Sequence, residues 1–286
     1  MVTNTLADLN AANTYFGPTF IRTTNGLVGG VNANVASALP GSANVNLNDR
    51  TSVTMDDLVG NGGSSLSIIA SQNISSLAGI AAAGPIAAST VNIGNNQTLT
   101  IGFNTAAAPA NGTNNANFAG NIGGLGSLVK DGTSTQRLSG TNTFTGTVAV
   151  NGGVLELQNG LAIADTVNVT VSSPGTLTLI SSERIGSLAS LPTAVGNPAG
   201  GTVQLNGQTL FTGASASTTF NGQITGAGTS NLVKEGATTF ILTGANNNYA
   251  GTTTVNGGTL QIGIAPIVTV PPTPQIGSIG VGAVAA

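Results

Sequence analysis

The chain has 286 residues, enough for one large domain or two ordinary ones, and its 40% hydrophobic residues are too many for a disordered segment. Only 5% are charged, with a net charge of −3; this excludes a basic stripe for nucleic acid and leaves Asn, Thr, Ser and Gln to supply the polar surface. With neither Cys nor His, disulfides, thiolate or imidazole metal sites and most nucleophile–base sets are excluded as well.

From the N-terminus, Met1 to Phe20 lacks a basic leader region, and Asp8 sits where an apolar core would be needed, so no signal peptide is expected. Helical spacing is confined to two short stretches, Thr5 to Tyr15 and Ser75 to Ala83. Residues 1–40 are read as an N-terminal cap that would shield the first coil of a strand-rich region beginning at residue 41. The most apolar stretch, Ser76 to Ala88, is too short to span a bilayer, so no transmembrane segment is expected.

Beyond residue 40 the pattern is one of strands. Asn44 to Met55, Thr90 to Ile101, Thr166 to Leu179 and Thr202 to Phe211 each read as two strands around a polar turn. Apolar and polar residues alternate in each run, and Thr and Val suit a pleated surface because their branched Cβ packs well there. Gly and Asn close the runs and supply the positive φ that sharp corners need.

The chain also repeats itself. Leu128 to Gly160 reads LVKDGTSTQRLSGTNTFTGTVAVNGGVLELQNG, and Leu232 to Gly263 reads LVKEGATTFILTGANNNYAGTTTVNGGTLQIG. Lys130 matches Lys234 and Gly132 matches Gly236; one extra residue then enters the second copy before Val255-Asn256-Gly257-Gly258 matches Val150-Asn151-Gly152-Gly153. Upstream, Phe118 to Ile122 matches Phe220 to Ile224, so the repeats occupy residues 118–160 and 220–263. A spacing of roughly 105 residues is too long for one supersecondary unit and marks several coils of a solenoid. The fold class is therefore all-β, a parallel β-helix (β-solenoid) over 41–264. At about 20 residues per coil the chain would make about 12 to 14 coils.

After the second repeat, Ile264 to Pro274 holds four Pro and reads as an extended linker, followed by the small, apolar, uncharged Gln275 to Ala286. Residues 265–286 thus form a Pro-rich linker and apolar tail. Leu58 to Val129, Ile185 to Val233 and Gly236 to Ala286 carry no formal charge. Charges protect strand edges, so such stretches suit strands that are already stacked, or edges meant to pair with another chain.

Chemistry-bearing residues are scarce. The acids are Asp8, Asp49, Asp56, Asp57, Asp131, Glu156, Asp165, Glu183 and Glu235. A polysaccharide-active enzyme needs two carboxylates across a cleft. The one acidic cluster, Asp49, Asp56 and Asp57 near Arg50, puts its adjacent pair on opposite faces of a strand and reads as a solvated turn, with a Ca²⁺ site as the rival reading. Lys130-Asp131 and Lys234-Glu235 read as charged turns kept for solubility, against a charged ladder that binds a partner. Phe144 and Tyr249 read as core or corner packing, against exposed platforms that stack on sugars. No catalytic, cofactor or metal residue is assigned.

The order Leu-Val-Lys-x-Gly, Leu-x-Gly-x-Asn, an aromatic with Gly soon after, then Val-Asn-Gly-Gly-x-Leu resembles the autotransporter-associated β-strand repeat of large Gram-negative surface proteins. Both copies match, and the rest of the chain resembles rickettsial outer-membrane autotransporter passengers in composition alone. The resemblance implies a right-handed parallel β-helix passenger, exposed at the bacterial cell surface, non-enzymatic and adhesive toward host or cell-surface ligands. The family's C-terminal membrane barrel is not found in this chain. The competing expectation is a self-assembling extracellular filament or surface-layer subunit, pairing with itself through open coil ends and the C-terminal tail.

Overall fold

The computed structural model describes residues 6–11, 19–23, 30–34, 52–57, 64–79, 88–102, 116–191, 200–263, 267–269 and 279–280. Among them every regular element is a β-strand, and the chain divides into two compact units, residues 1–146 and 147–286. Each unit is a parallel β-solenoid.

In the first unit three rows of strands stack coil on coil. One row holds Leu6–Leu9, Gly30–Ala33, Ser65–Ile68, Thr90–Ile93 and Asn121–Gly124, all parallel. A second holds Gln72–Ile74, Thr98–Ile101 and Ser127–Lys130. The third holds Thr19–Thr23, Ser52–Asp57, Ser76–Gly79, Ala116–Phe118 and Thr135–Leu138. Register shows how long each coil is. Phe118 stands beside Leu138, a coil of 20 residues, but Ser65 stands beside Thr90 and Gly30 beside Ser65, coils of 25 and 35. The described part of this unit therefore winds five coils, fewer than a uniform 20-residue coil predicts, because the early coils carry long insertions.

The second unit is wound more evenly. Val154–Leu157, Thr176–Leu179, Thr202–Gln204, Gln223–Gly226 and Asn248–Tyr249 form one row. Glu183–Arg184, Thr209–Thr212, Asn231–Lys234 and Thr252–Val255 form another. A third runs through Val148–Val150, Asn168–Val171 and Ser187–Ala189. The Ser190 N–H donates to the Thr219 carbonyl at 3.1 Å and carries this row on to Thr218–Phe220, Thr239–Leu242 and Thr259–Ile262. Beyond the last coil the direction reverses: Ile267–Thr269 lies antiparallel on Thr259–Ile262, and Ile279–Gly280 antiparallel on Thr252–Val255.

Alternation along the strands builds the core. In Thr90–Ile93 the two outward residues are exposed and Val91 and Ile93 are buried. Parallel stacking then sets like on like, and Leu155, Leu177, Val203 and Ile224 form one inward column with no exposed surface. Each such side chain contributes about 1.5–3 kcal/mol by leaving water.

The two stretches with helical spacing are not helical where they are described. Leu6–Leu9 and Ser76–Gly79 are strands, and Ser76–Gly79 pairs in register with Ser52–Asp57. A single turn of weak helical preference does not outweigh a ladder of hydrogen bonds to the neighbouring coil. One gap in that ladder is filled by a side chain. Ala116–Phe118 meets the coil beneath it only through Phe118 and Gly79. The Leu77 N–H donates instead to Gln136 Oε1 at 3.0 Å, and Gln136 Nε2 donates to the Leu77 carbonyl at 2.8 Å. The buried carboxamide stands in for a missing peptide group.

The N-terminal cap expected over 1–40 falls largely outside the described residues, as do Asp49, Arg50 and most of the Pro-rich linker and apolar tail.

Candidate functional site

The lysine and aromatic side chains that recur in the two repeats are built into the solenoid rather than displayed on it. Lys130 and Lys234 end the strands Ser127–Lys130 and Asn231–Lys234, and both are buried. Each turns inward at a corner and gives its ammonium protons to main-chain carbonyls. Lys130 Nζ donates to the Asp131 carbonyl at 2.6 Å. Lys234 Nζ donates to the carbonyls of Glu235 at 2.5 Å, Gly236 at 3.1 Å, Gly257 at 3.2 Å and Gly213 at 3.4 Å. Gly213 belongs to the coil before and Gly257 to the coil after, so one ammonium group ties three successive coils together.

Glycine makes room for this. A Cβ at Gly213 would stand 2.6 Å from Lys234 Cδ, and one at Gly102 would stand 2.7 Å from Lys130 Nζ. Both glycines have φ in the left-handed region, +88° and +85°, where a side chain would be strained in any case. Burial pushes the Lys130 ammonium down to about 8 against the opposing pull of Asp131, and burial also lowers Lys234.

These positions correct the reading of the lysines. They are neither solvated charges kept for solubility nor a ladder presented to a partner, because their charged ends point into the corner. The aromatic positions keep their packing reading: Phe144 is fully buried and Tyr249 nearly so, and neither offers a face for a sugar. The Tyr249 hydroxyl bonds Thr253, and burial raises its pKa despite that bond. The structure also resolves the extra residue of the second repeat. Asn142 Oδ1 accepts the Ile122 N–H at 2.7 Å, and its counterpart in the second repeat is Asn247, whose Oδ1 accepts the Ile224 N–H at 2.8 Å. Phe144 and Tyr249 each come two residues later, so the insertion precedes Asn247.

The acids lie apart from one another in use. Asp8 accepts a bond from Asn32 Nδ2 at 2.7 Å, and Asp131 accepts from the Gly132 N–H at 2.8 Å. Asp56 and Asp57 are successive residues of Ser52–Asp57, opposite Arg22 and Thr23 in register, and their side chains lie outside the described residues. Among the described residues no three carboxylates converge on one point.

One cluster of charge does form, in the second unit. Arg184 lies 3.6 Å from Asp165, pairs with Glu235, and stacks over Phe211 at 4.7 Å from the ring centroid. Its neighbour Glu183 points the other way and is buried. Glu183 Oε1 accepts the Ile163 N–H at 2.7 Å, while Oε2 has no partner. Burial pushes Glu183 up to about 7; the N–H groups of Ile163 and Ala162 oppose the shift, and the Asp165 charge adds to it. Sequence reasoning assigned nothing to Glu183 or Gln136. The one available signal was a polar residue at a position where the alternation asks for an inward side chain.

Neutral side chains form ladders on the outer faces. Asn231 Nδ2 donates to Thr209 Oγ1 at 3.3 Å, and Asn231 Oδ1 accepts from the Thr252 N–H at 2.8 Å, so hydroxyls and amides form a ladder across three coils. Thr178 Oγ1 donates to Gln204 in the next coil at 3.2 Å.

Residues 128–157 and 232–262 match the family model of the passenger-associated-transport-repeat. The two matches coincide with the lysine corners, the glycine turns and the buried aromatic positions described above. The chain is also 36% identical over 147 residues to the "Adhesin BmaC autotransporter" of Brucella suis biovar 1 (strain 1330). That similarity covers 50% of this chain and 4% of the adhesin's own length. No solved structure matches.

Proposed function

We propose that this stretch of autotransporter passenger is a non-enzymatic adhesive scaffold, projected from the bacterial cell surface and presenting neutral hydroxyl and amide ladders to host or cell-surface ligands. Repeats of this family are extracellular passenger elements, which accounts for the surface location. The observation that carries the reading is the internal use of the recurring lysine, aromatic and inward amide side chains of the repeats. Lys234 and Asn247 are spent on holding coils together, Tyr249 is buried and bonded to Thr253 within its own coil, and Arg184 engages Asp165 and Glu235, so the exposed rows of Thr, Asn and Gln are what remains for contact. Similarity to an adhesin over half the chain supports the same reading.

The test is gain of adherence. Residues 1–286 are displayed on a non-adherent bacterium through an unrelated carrier, and cells retained on a host-cell monolayer are counted. Adherence above the carrier alone is expected; equal counts would overturn the adhesive part of the proposal.

Self-assembly is the second reading. Its support is the fold-back of Ile267–Thr269 and Ile279–Gly280 onto the last coil, a pairing that two copies could exchange. Sedimentation of the purified chain with and without residues 264–286 separates the two. Oligomers that vanish on deletion favour exchange, and oligomers that persist unchanged rule it out.

A further inference from the structure

Glu183–Arg184 is the first strand of its row, with Thr209–Thr212 paired on one side. On its other side the preceding coil supplies no strand, only the irregular corner 158–167. That corner is held from the adjoining turns: the Asn159 N–H donates to Ser181 Oγ at 3.1 Å, and the Gly186 N–H donates to the Val167 carbonyl at 2.8 Å. At its centre Ala162 and Ile163 are buried, and their N–H groups take their acceptor from Glu183. Glu183 therefore replaces the missing strand, and it does so with one oxygen. The other oxygen is enclosed and unbonded.

A carboxyl group held this way is enclosed at lower cost in its neutral form. As a carboxylate, its enclosed oxygen would carry charge with no donor to answer it. The charged groups that face it sharpen this. The corner presents Asp165, another carboxylate, and the strand on the other side presents Leu210, with no titratable residue anywhere in Thr209–Thr212. Arg184 cannot neutralise Glu183, because its guanidinium lies on the outer surface with Asp165, Glu235 and Phe211.

We propose that Glu183 is a proton-operated latch: protonated, it holds the corner 158–167 shut against the strand Glu183–Arg184, and ionised, it releases that corner to solvent. The device gives the outer surface near Leu161, which is already half exposed, a local order set by ambient acidity.

Linkage gives the sign. In the open corner the carboxyl titrates near its ordinary value of 4.5, and in the closed corner near 7. Between these values the open state has lost a proton that the closed state keeps, so opening becomes easier as pH rises. Amide hydrogen exchange of the intact chain tests this. After correction for intrinsic exchange, protection at Ala162 and Ile163 should fall by roughly tenfold per pH unit from 4.5 to 7, and then level off. Glu183→Gln should abolish the slope. Asp165→Asn, on the exposed side of the corner, should move the midpoint down. Flat protection in the unaltered chain, or a slope that survives in Glu183→Gln, overturns the latch. If Glu183→Gln does not fold, carboxyl-carbon NMR of Glu183 in the unaltered chain decides the matter. A midpoint near 7 supports the latch, and one in the ordinary carboxylate range overturns it.

Discussion

Gly244 stacks directly on Gly222 of the preceding coil, so closely that a Cβ on Gly244 would overlap the Gly222 carbonyl oxygen. Gly140 stands in the same relation to Gly120 in the first repeat. Both glycines are required by close approach of backbone to backbone, and a side chain there would wedge two coils apart. Gly244→Ala is expected to destabilise the second unit by more than about 3 kcal/mol. Gly207→Ala is the control: its φ of +79° strains a side chain, but nothing lies within 4 Å, and about 1 kcal/mol is expected. Urea midpoints of the two variants should rank in that order.

The lysine corner makes a second prediction. Lys234→Met keeps the apolar stem and removes the ammonium group, leaving the carbonyls of Gly213, Gly236 and Gly257 without their common donor. Each enclosed acceptor left unpaired costs about 1–3 kcal/mol, partly offset because an ion no longer has to be desolvated. A net loss of about 2 kcal/mol in urea unfolding is expected. An unchanged midpoint would mean the ammonium group does not tie the coils.

Alkaline pH should strengthen the fold over a limited window. The folded chain holds the Lys130 ammonium group down to about 8, whereas the unfolded chain keeps it protonated to 10.5. Between these values the unfolded state binds more protons, so stability rises with pH; below 8 both states are charged and the full desolvation cost is present. Lys234 shifts in the same direction for the same cause. The urea midpoint should be higher at about pH 9.5 than at about pH 7.5, and Lys130→Met should reduce the difference, leaving the share that Lys234 contributes.

The buried aromatic positions separate packing from hydrogen bonding. Phe220→Ala removes a ring with no exposed surface and should cost about 3–5 kcal/mol. Tyr249→Phe keeps the ring and loses only the bond to Thr253, for about 0.5–1.5 kcal/mol. Thermal unfolding of both variants checks the contrast.

The strand pattern was legible because alternation needs no tertiary information: Thr90–Ile93, Thr98–Ile101, Asn168–Val171 and Thr176–Leu179 all lie where their Thr and Val spacing puts them. The repeats were legible for the same reason that they recur, since each copy meets the same corners. The roles of the polar residues were not. Lys130 and Lys234 sit next to an acid in a turn, where a lysine ordinarily faces water, yet both are buried, and at Lys234 carbonyls from the neighbouring coils meet the inward ammonium group. Gln136 is legible only once Ala116–Phe118 is known to pair with the coil beneath it at Phe118 and Gly79 and not at Leu77. Coil length was misjudged because the repeats are the most regular part of the chain, and the coils before them run to 35 residues.

The ring of carbonyls around Lys234 is also a coordination sphere. Converging main-chain oxygens are the donors with which proteins bind hard cations, and some β-helical repeats take such a cation from solution. Here the ion at the centre is covalently attached to the chain. The corner has no dissociation constant: it neither waits for a dissolved metal nor surrenders one to a chelator. Its order is therefore set by sequence alone, in calcium-poor surroundings as in calcium-rich ones.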